Sequence, residues 1–239
     1  MVFITGTDTG VGKTYFSCLL VKALREAGFD AVGFKPICCG DRNDAIALVQ
    51  ASEDALSVNE CNPVWMRFPA SPYTSSIIEE RLINLDDIRQ QWEKLKERFS
   101  TIVVEGVGGW SVPIHRDYFA SDLAREFGLP VVMIAANRLG VINHVMLTRE
   151  AIQNSQTSCA GIILNNGVTT PDPVTLTNRS ILDDLLRGTD TRILGEIDSE
   201  SRRLSPTLFN QLRSLFTMKN FLPGGSPESI MPPCKPQNS

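Results

Sequence analysis

The apolar and polar positions of the chain follow two patterns that take turns along the sequence. Short runs such as "TIVVE" and "PVVMIAA" are almost continuously apolar, which is typical of strands buried on both faces of a sheet. Such runs predict strands at residues 2–5, 31–35, 101–105, 131–135, 160–164 and 192–196. Longer segments repeat their apolar residues at helical spacing, and they predict helices at residues 15–27, 44–51, 86–99, 119–127, 142–154, 174–186 and 206–215.

Regular alternation of strands and helices is the pattern of an α/β fold. We therefore predict a single domain, residues 1–217, in which a parallel β-sheet carries helices on both faces. Residues 218–239 are rich in proline, glycine and serine without periodicity, and they are predicted to form a mobile tail. In parallel sheets of this kind ligands bind beyond the carboxyl ends of the strands. The residues that follow each predicted strand are therefore the candidates for function.

The segment after the first predicted strand, "GTDTGVGKT", combines glycines with a Lys-Thr pair that opens a helix. This pattern predicts a phosphate-binding loop, because backbone N–H groups converge at a helix N-terminus. Lys13 is predicted to reach the β- and γ-phosphates of a nucleoside triphosphate, and Thr14 to give its hydroxyl to Mg²⁺. Five residues separate Gly6 from Gly12, one more than in the common pattern, and Tyr15 stands where a dinucleotide-binding loop needs a third glycine. The predicted fold is therefore P-loop NTPase-like.

Three further charged residues stand at the ends of predicted elements. Lys35 ends the second strand, where the sequence alone is equally compatible with a surface lysine. Asp44 opens a helix, a position where aspartate also serves as an N-cap. Glu105 ends an apolar strand, where a carboxylate needs a partner. Together with Thr14, the two carboxylates supply the hard oxygen ligands that Mg²⁺ takes beside phosphates.

The composition limits the range of functions. The 239 residues carry a net charge of −4 with a sequence pI of about 5.3, so neither a nucleic-acid partner nor a membrane partner is expected. No apolar run approaches the roughly 18 residues that cross a bilayer. Six cysteines without CxxC spacing predict reduced thiols and a cytoplasmic protein. His115 and His144 are the only histidines, and neither accompanies a nucleophile or zinc-ligand signature.

Seven segments stand out by their order and approximate spacing: "GTDTGVGKT", "GFKP", "DAIAL", "NPVWMRFPASP", "VVEGVGGWSVPI", "LGVINHVMLT" and "LGEI". Taken together, they resemble the dethiobiotin synthetase family over roughly residues 2–215. The resemblance implies a cyclo-ligase that acts on 7,8-diaminopelargonate and CO₂ with ATP and Mg²⁺. One substrate amine becomes a carbamate, the carbamate is phosphorylated, and the other amine closes the ureido ring to give dethiobiotin, ADP and phosphate. The resemblance also implies a homodimer with shared active sites.

The same resemblance implies roles for individual residues. The catalytic set is Lys35, which would contact the carbamate and the γ-phosphate, Lys13 and Thr9. The magnesium set is Thr14, Asp44 and Glu105. The set that binds the nucleotide and its metal is Gly10, Val11, Gly12, Lys13, Thr14, Tyr15, Asp44, Glu105, Gly106, Val107, Gly108, Asn165 and Asn166. The set that binds the substrate is Thr9, Lys35, Cys39 and, from the partner subunit, Gly140, Val141 and Asn143.

Three features depart from the family pattern. Cys39 stands where serine is frequent, Asp198 stands where proline often follows Gly-Glu-Ile, and the segment before Asp44 is short. On the sequence alone, three alternatives compete with a synthetase. A switch or partitioning ATPase would carry an extra loop lysine at the position of Asp8, and a cobyrinic-acid-type amidotransferase would need an added glutaminase domain. A nucleotide-dependent interaction protein would keep the pocket without the chemistry.

Overall fold

The computed structural model describes residues 1–167 and 173–217. Numbered along the chain, its strands are β1 (Val2–Gly6), β2 (Ala31–Phe34), β3 (Ile37–Cys39), β4 (Val64–Met66), β5 (Thr101–Glu105), β6 (Pro113–His115), β7 (Tyr118–Phe119), β8 (Val131–Ala136), β9 (Cys159–Asn165) and β10 (Ile193–Ile197). Its helices are α1 (Lys13–Glu26), α2 (Asn43–Ala51), α3 (Val58–Cys61), α4 (Pro72–Ile78), α5 (Leu85–Arg98), α6 (Ala120–Phe127), α7 (Val141–Asn154), α8 (Pro173–Leu185) and α9 (Pro206–Thr217). The predicted tail at 218–239 lies outside the described residues.

Six of the described strands form one parallel sheet in the order β10-β9-β8-β1-β5-β2. In the middle of this sheet, β1 pairs with β5, where Ile4 lies opposite Glu105, and with β8, where Gly6 lies opposite Ile134. The predicted α/β architecture is therefore confirmed. Because all six strands run in one direction, their carboxyl ends meet at one edge, and the segments that follow β1, β5 and β2 lie side by side there.

Apolar side chains alternate between the two faces of the sheet and form two separate cores. Along β1, Phe3 joins one core, whereas Val2 and Ile4 join the other. This alternation follows from the two-residue period of a strand. Helices α5, α6 and α7 cover the first core, and α1 and α9 cover the second. The sheet is thus buried on both faces, as its continuously apolar strands predicted.

The structure contains short elements that the hydrophobic pattern did not predict. β3 and β4 pair in parallel, β6 and β7 pair antiparallel, and α3 has only 4 residues. Elements of this length are too short for a hydrophobic period to be recognised. The predicted strand end at Lys35 is corrected, because β2 ends at Phe34 and Lys35 lies just beyond the ladder. Among the described residues, we find no helix with the length and apolar character needed to span a membrane.

Candidate active site

The segment between β1 and α1 folds into a loop around the ammonium group of Lys13. Its Nζ donates to the backbone oxygen of Asp8 at 3.0 Å, and the side chain is buried. Gly12 occupies the N-cap position of α1 with a φ of 97°, a left-handed conformation that favours glycine. A Cβ atom at Gly12 would also come within 2.1 Å of Asn165 Nδ2. The loop therefore requires glycine at this position for both reasons.

The first turn of α1 is suited to an anion. It contains no acidic residue, and within the described part of the chain no side chain caps it. The N–H groups of a first helical turn lack partners inside the helix and carry the positive end of the helix dipole. Together with the buried Lys13, this turn has the geometry that phosphate binding requires.

An ionic cluster that is buried at Lys35 and Glu105 and half-exposed at Asp44 lies beside the loop. The Nζ atom of Lys35 is 2.5 Å from Glu105 Oε1 and 2.7 Å from Asp44 Oδ2. The Thr14 hydroxyl donates to Glu105 Oε1 at 2.7 Å. Each group comes from a different element: Lys35 follows β2, Asp44 lies in the first turn of α2, Glu105 ends β5 and Thr14 lies in α1. The fold thus brings together four residues that the sequence separates.

The two buried lysines differ in how firmly they hold a proton. Burial alone would lower the pKa of Lys35, but the carboxylates of Glu105 and Asp44 outweigh it and raise that pKa. Burial alone would raise the pKa of the Asp44 carboxyl, but the positive charge of Lys35 outweighs burial and lowers that pKa. For Lys13, burial and the nearby positive charge of Lys35 lower the pKa to about 8. Lys35 therefore holds its proton more firmly than an ordinary lysine, whereas Lys13 holds its proton less firmly.

The Glu105 carboxylate is fully buried, and its Oε2 atom has no hydrogen-bond partner among the described residues. A buried carboxylate oxygen without a partner is unfavourable. Thr14 donates to this carboxylate, and Asp44 shares Lys35 with it on the wall of the same cavity, so the three residues offer the oxygen ligands that Mg²⁺ takes beside phosphates. The residues present therefore fit a magnesium ion.

Most of the predicted site residues line one cavity of about 640 Å³. We call it the lysine cavity, and its charged lining is Lys13, Lys35, Asp41, Asp44 and Glu105. The other predicted residues on its wall are Thr9, Gly10, Gly12, Thr14, Tyr15, Cys39, Val107 and Gly108. Val11 and Gly106 are buried behind this wall. A Cβ atom on Gly106 would come within 2.9 Å of the Phe3 ring, so this glycine permits close packing beneath the site.

A second cavity, of about 840 Å³, lies beyond the ends of β8, β9 and β10. We call it the asparagine cavity, and its polar lining includes Asn137, Asn166, Arg179, Glu196 and Asp198. The Nδ2 atom of Asn137 donates to Asn166 Oδ1 at 2.7 Å, and Asn166 Nδ2 donates to Glu196 Oε2 at 2.9 Å and to Asp198 Oδ1 at 3.0 Å. The direction of these bonds fixes the Asn166 amide with its NH₂ group toward the two carboxylates.

Asn165 and Asn166 were both predicted to bind the nucleotide, but the structure gives them different surroundings. Asn166 lines the asparagine cavity. Asn165 Nδ2 instead donates to the backbone oxygen of Val11 at 2.9 Å, inside the phosphate loop. The Tyr15 hydroxyl joins the two regions, because its single O–H lies within hydrogen-bond distance of the backbone oxygens of Asp198 and Ser201. Base binding by either asparagine remains a prediction.

The predicted substrate residues Gly140, Val141 and Asn143 stand apart from both cavities. They form the start of α7, where Gly140 is the N-cap with a φ of 93°. Val141 is buried, whereas Gly140 and Asn143 are exposed. Neither cavity has any of the three in its lining, within the residues that the structure describes. The structure therefore does not bring them to the site of their own chain.

Four polar residues that make hydrogen bonds near the two cavities were not predicted from the sequence. They are Arg42, Asn62, Asn178 and Glu196. Asn62 lies within the segment "NPVWMRFPASP", and the Asn-Pro pair was the only local signal available for it. Glu196 lies within "LGEI", but nothing in the sequence reveals that its carboxylate accepts from Asn166 on the neighbouring strand end.

A parallel sheet, a glycine loop that runs into a helix, a buried loop lysine and a threonine hydroxyl beside carboxylates together define a P-loop protein that binds nucleoside triphosphates. In agreement, a family model described as an AAA domain matches residues 1–206. Curated relatives are more specific. The ATP-dependent dethiobiotin synthetase BioD of Akkermansia muciniphila is 45% identical over 194 residues, which cover 81% of this chain and 90% of the relative.

Two further relatives carry the same name. BioD of Bacillus licheniformis is 37% identical over 76% of this chain and 79% of its own length, and that of Methanocaldococcus jannaschii is 37% identical over 69% and 79%. The chain therefore belongs to the dethiobiotin synthetase family, and the resemblance inferred from its motifs is confirmed.

Solved structures with a similar fold have other names and low sequence identity to this chain. The MinC:MinD cell division complex of Aquifex aeolicus has a TM-score of 0.55 at 14% identity and covers 93% of this chain and 98% of that chain. The pNOB8 ParA protein bound to nonspecific DNA has a TM-score of 0.51 at 14% identity, with 90% and 92% coverage. At such identities the likeness establishes only the common P-loop NTPase-like fold.

Proposed function

We propose that this chain is an ATP-dependent dethiobiotin synthetase, which joins 7,8-diaminopelargonate and CO₂ into dethiobiotin and releases ADP and phosphate. The observation that carries the proposal is the partly buried cluster in which Lys35 contacts Glu105 and Asp44 beside the phosphate loop. The relatives named ATP-dependent dethiobiotin synthetase, at 37–45% identity, support the choice of reaction.

The substrate brings both nucleophiles, so the chain contributes alignment and charge stabilisation. One amine adds to CO₂, loses a proton and becomes a carbamate. A carbamate oxygen then attacks the γ-phosphorus, and ADP leaves. The second amine attacks the carbamate carbon, phosphate leaves, and the ring closes with loss of a second proton. No side chain of the protein forms a covalent bond in this sequence.

We assign different tasks to the two buried lysines. Lys35 is kept positively charged by its two carboxylates, so it can stabilise the negative charge shared by the carbamate and the γ-phosphoryl group. Lys13 lies inside the loop and anchors the β- and γ-phosphates. Thr9 and Cys39 line the same cavity, where we assign them to the substrate amines, with the thiol as the weaker donor.

Mg²⁺ is part of the same proposal, with Thr14, Asp44 and Glu105 as the residues that hold it. A magnesium ion bound there would neutralise charge that develops on the β- and γ-phosphate oxygens. The unpartnered Oε2 atom of the buried Glu105 supports this assignment. We assign the nucleotide base to the asparagine cavity, where Asn166 is held in one orientation.

We propose a homodimer in which α7 of one subunit completes the site of the other. The first turn of α7 has no acidic residue and, in the described structure, no side-chain cap, which suits it to a substrate carboxylate. Asn143 is exposed beside it. Leu139 and Leu147 are 82% and 58% exposed on the same segment, and a subunit contact would bury them.

We also propose a cytoplasmic location, because the described cysteines are free thiols.

Mixing two inactive chains tests the shared site. A Lys35→Ala chain and an Asn143→Ala chain should each be inactive, but a mixed dimer contains one intact pocket. Random exchange predicts recovery of about a quarter of the wild-type rate. Exchange is verified with subunits of different mass. Mixtures that remain inactive after verified exchange, or a fully active monomer, would contradict the shared site.

The proposed reaction is tested by measuring ADP release with and without 7,8-diaminopelargonate in the presence of bicarbonate and Mg²⁺. We expect turnover to require the diamine and the product to have the mass of dethiobiotin. ATP hydrolysis that ignores the diamine would favour a switch or partitioning-type ATPase, one of the alternatives that the sequence left open. Nucleotide binding without any turnover would favour an interaction protein.

A further inference from the structure

Lys35 must be held accurately because its ammonium group contacts two carboxylates at once. β2 is an edge strand and ends at Phe34, so the main sheet does not hold the peptide of residue 35. Its N–H group donates instead to the backbone oxygen of Cys61 at 2.8 Å. Its backbone oxygen accepts from the side chain of Asn62, with Asn62 Nδ2 at 3.0 Å.

Asn62 is buried, with 2% of its surface exposed, and its amide makes three bonds. The Nδ2 atom donates to the backbone oxygens of Lys35 and Val64, and the Oδ1 atom accepts from Arg42 Nε at 3.0 Å. Both N–H groups and the oxygen are therefore used, which fixes the amide in one orientation.

Arg42 connects this amide to the start of α2. It occupies the N-cap position, two residues before Asp44. Beyond Asn62 Oδ1, its guanidinium donates to the backbone oxygens of Val58 and Asn62 at 3.0 and 2.9 Å, and to Asn59 Oδ1 at 2.9 Å. It also lies over the Trp65 ring, 5.6 Å from the centroid. A planar group with several donors in fixed directions can make these contacts together, whereas an ammonium group cannot.

We propose that Arg42 and Asn62 are positioning residues, which set the distance between Lys35 and Asp44 and so prepare the lysine cavity for Mg²⁺·ATP. The proposal rests on the proposed function. One buried amide holds the Lys35 peptide on one side and, through Arg42, the first turn of α2 on the other. Neither residue lines the lysine cavity, so their effect on the reaction passes through Lys35 and Asp44.

The test compares Arg42→Ala and Arg42→Lys with Arg98→Ala. Arg98 is the matched control, because it also contacts this region, through Glu60 of α3 and the backbone oxygen of Ala55. We expect Arg42→Ala to lower kcat and to raise the Mg²⁺ concentration for half-saturation by about 10- to 100-fold, as for residues that orient metal ligands. KM for ATP at saturating Mg²⁺ should change little. Arg42→Lys should recover only part of the loss, and Arg98→Ala should resemble the wild type.

A readout without turnover separates this inference from the proposed reaction. The Mg²⁺ dependence of thermal stabilisation by ATP requires only binding, and it is measured on each variant at one ATP concentration. If the wild type binds Mg²⁺·ATP but forms no dethiobiotin, the proposed reaction fails, and the titration still decides the positioning role. A Mg²⁺ midpoint of Arg42→Ala within the range of Arg98→Ala, or a loss that appears only in KM for ATP, would overturn it. Asn62→Asp, which keeps the shape but replaces both donors, should show the same pattern as Arg42→Ala.

Discussion

The lysine cavity and the asparagine cavity lie at the same edge of one sheet, but their charged groups are held in different ways. In the lysine cavity, Glu105 is fully buried and Lys35 is 4% exposed, so Glu105 depends on Lys35 for compensation of its charge, whereas the second carboxylate beside Lys35, that of Asp44, is 46% exposed. In the asparagine cavity, the carboxylate of Glu196 is 30% exposed and Asp198 is exposed, so water can replace a lost partner. The contrast teaches that the loss of a charged residue costs more when its partner is buried than when water can reach that partner.

The largest effect is expected from the buried carboxylate. Glu105→Gln keeps the shape but removes one of the two negative charges that compensate Lys35 and one carboxylate oxygen assigned to Mg²⁺. We expect turnover to fall by more than about 100-fold, beyond the effect of residues that only orient ligands. The matched control is Glu196→Gln, a partly exposed glutamate on the edge strand β10 of the same sheet, and it should retain most activity. The measurement is the steady-state rate at several Mg²⁺ concentrations. A folded Glu105→Gln protein with a near-normal rate would contradict the proposed difference between the two cavities.

The asymmetry between the cavities also explains what the sequence could predict. The phosphate loop is one continuous segment whose glycines, lysine and helix start act locally, so Gly12, Lys13 and Thr14 were identified from their pattern. Glu105 and Lys35 are 70 positions apart, and they meet because β5 lies beside β2 in the sheet. Strand order is a property of the whole chain, so the sequence placed both residues at strand ends but did not predict this contact.

The asparagine cavity was predicted less completely for the same physical reason. Its amide chain runs from Asn178 of α8 through Asn137 and Asn166 to the end of β10, so it joins segments far apart in sequence. No local pattern distinguishes these asparagines from residues of an ordinary loop. The hydrogen bond from Arg42 to Asn62 was not predicted for the same reason, because it joins the start of α2 to the segment before the short β4.

An intermediate effect is expected from the titration of Lys13. Its pKa of about 8 lies below the ordinary value of 10.5 because of burial and of Lys35. Bound phosphates favour the charged form and raise this pKa, so above pH 8 the nucleotide must bind together with a proton. Affinity should therefore be full below about pH 8 and should decline at higher pH, by at most about tenfold per pH unit.

Proton uptake makes this prediction measurable. Calorimetric titration with Mg²⁺·ATP at pH 9, in two buffers with different ionisation enthalpies, should reveal uptake by the wild-type protein. The Lys13→Met variant should bind more weakly and take up no proton in this range. Equal proton uptake by the two proteins would mean that another residue takes up the proton. The proposed difference in pKa between Lys13 and Lys35 would then be contradicted.

The smallest effect is expected at Asp198 in the asparagine cavity. Its side chain is exposed and accepts one bond from Asn166, which retains Glu196 as a partner. Asp198→Ala should therefore change the ratio of kcat/KM for ATP and GTP by no more than about tenfold, the range of a single hydrogen bond near water. Alanine is preferred to proline as the test, because the backbone N–H of Asp198 donates to Ser201 Oγ at 3.2 Å. Ser199→Ala, in the same cavity wall, is the control for a general change of the loop. A loss of 100-fold or more, comparable to that expected for Glu105→Gln, would mean that this exposed carboxylate is as strictly required as the buried one, and burial would no longer explain the difference between the two cavities.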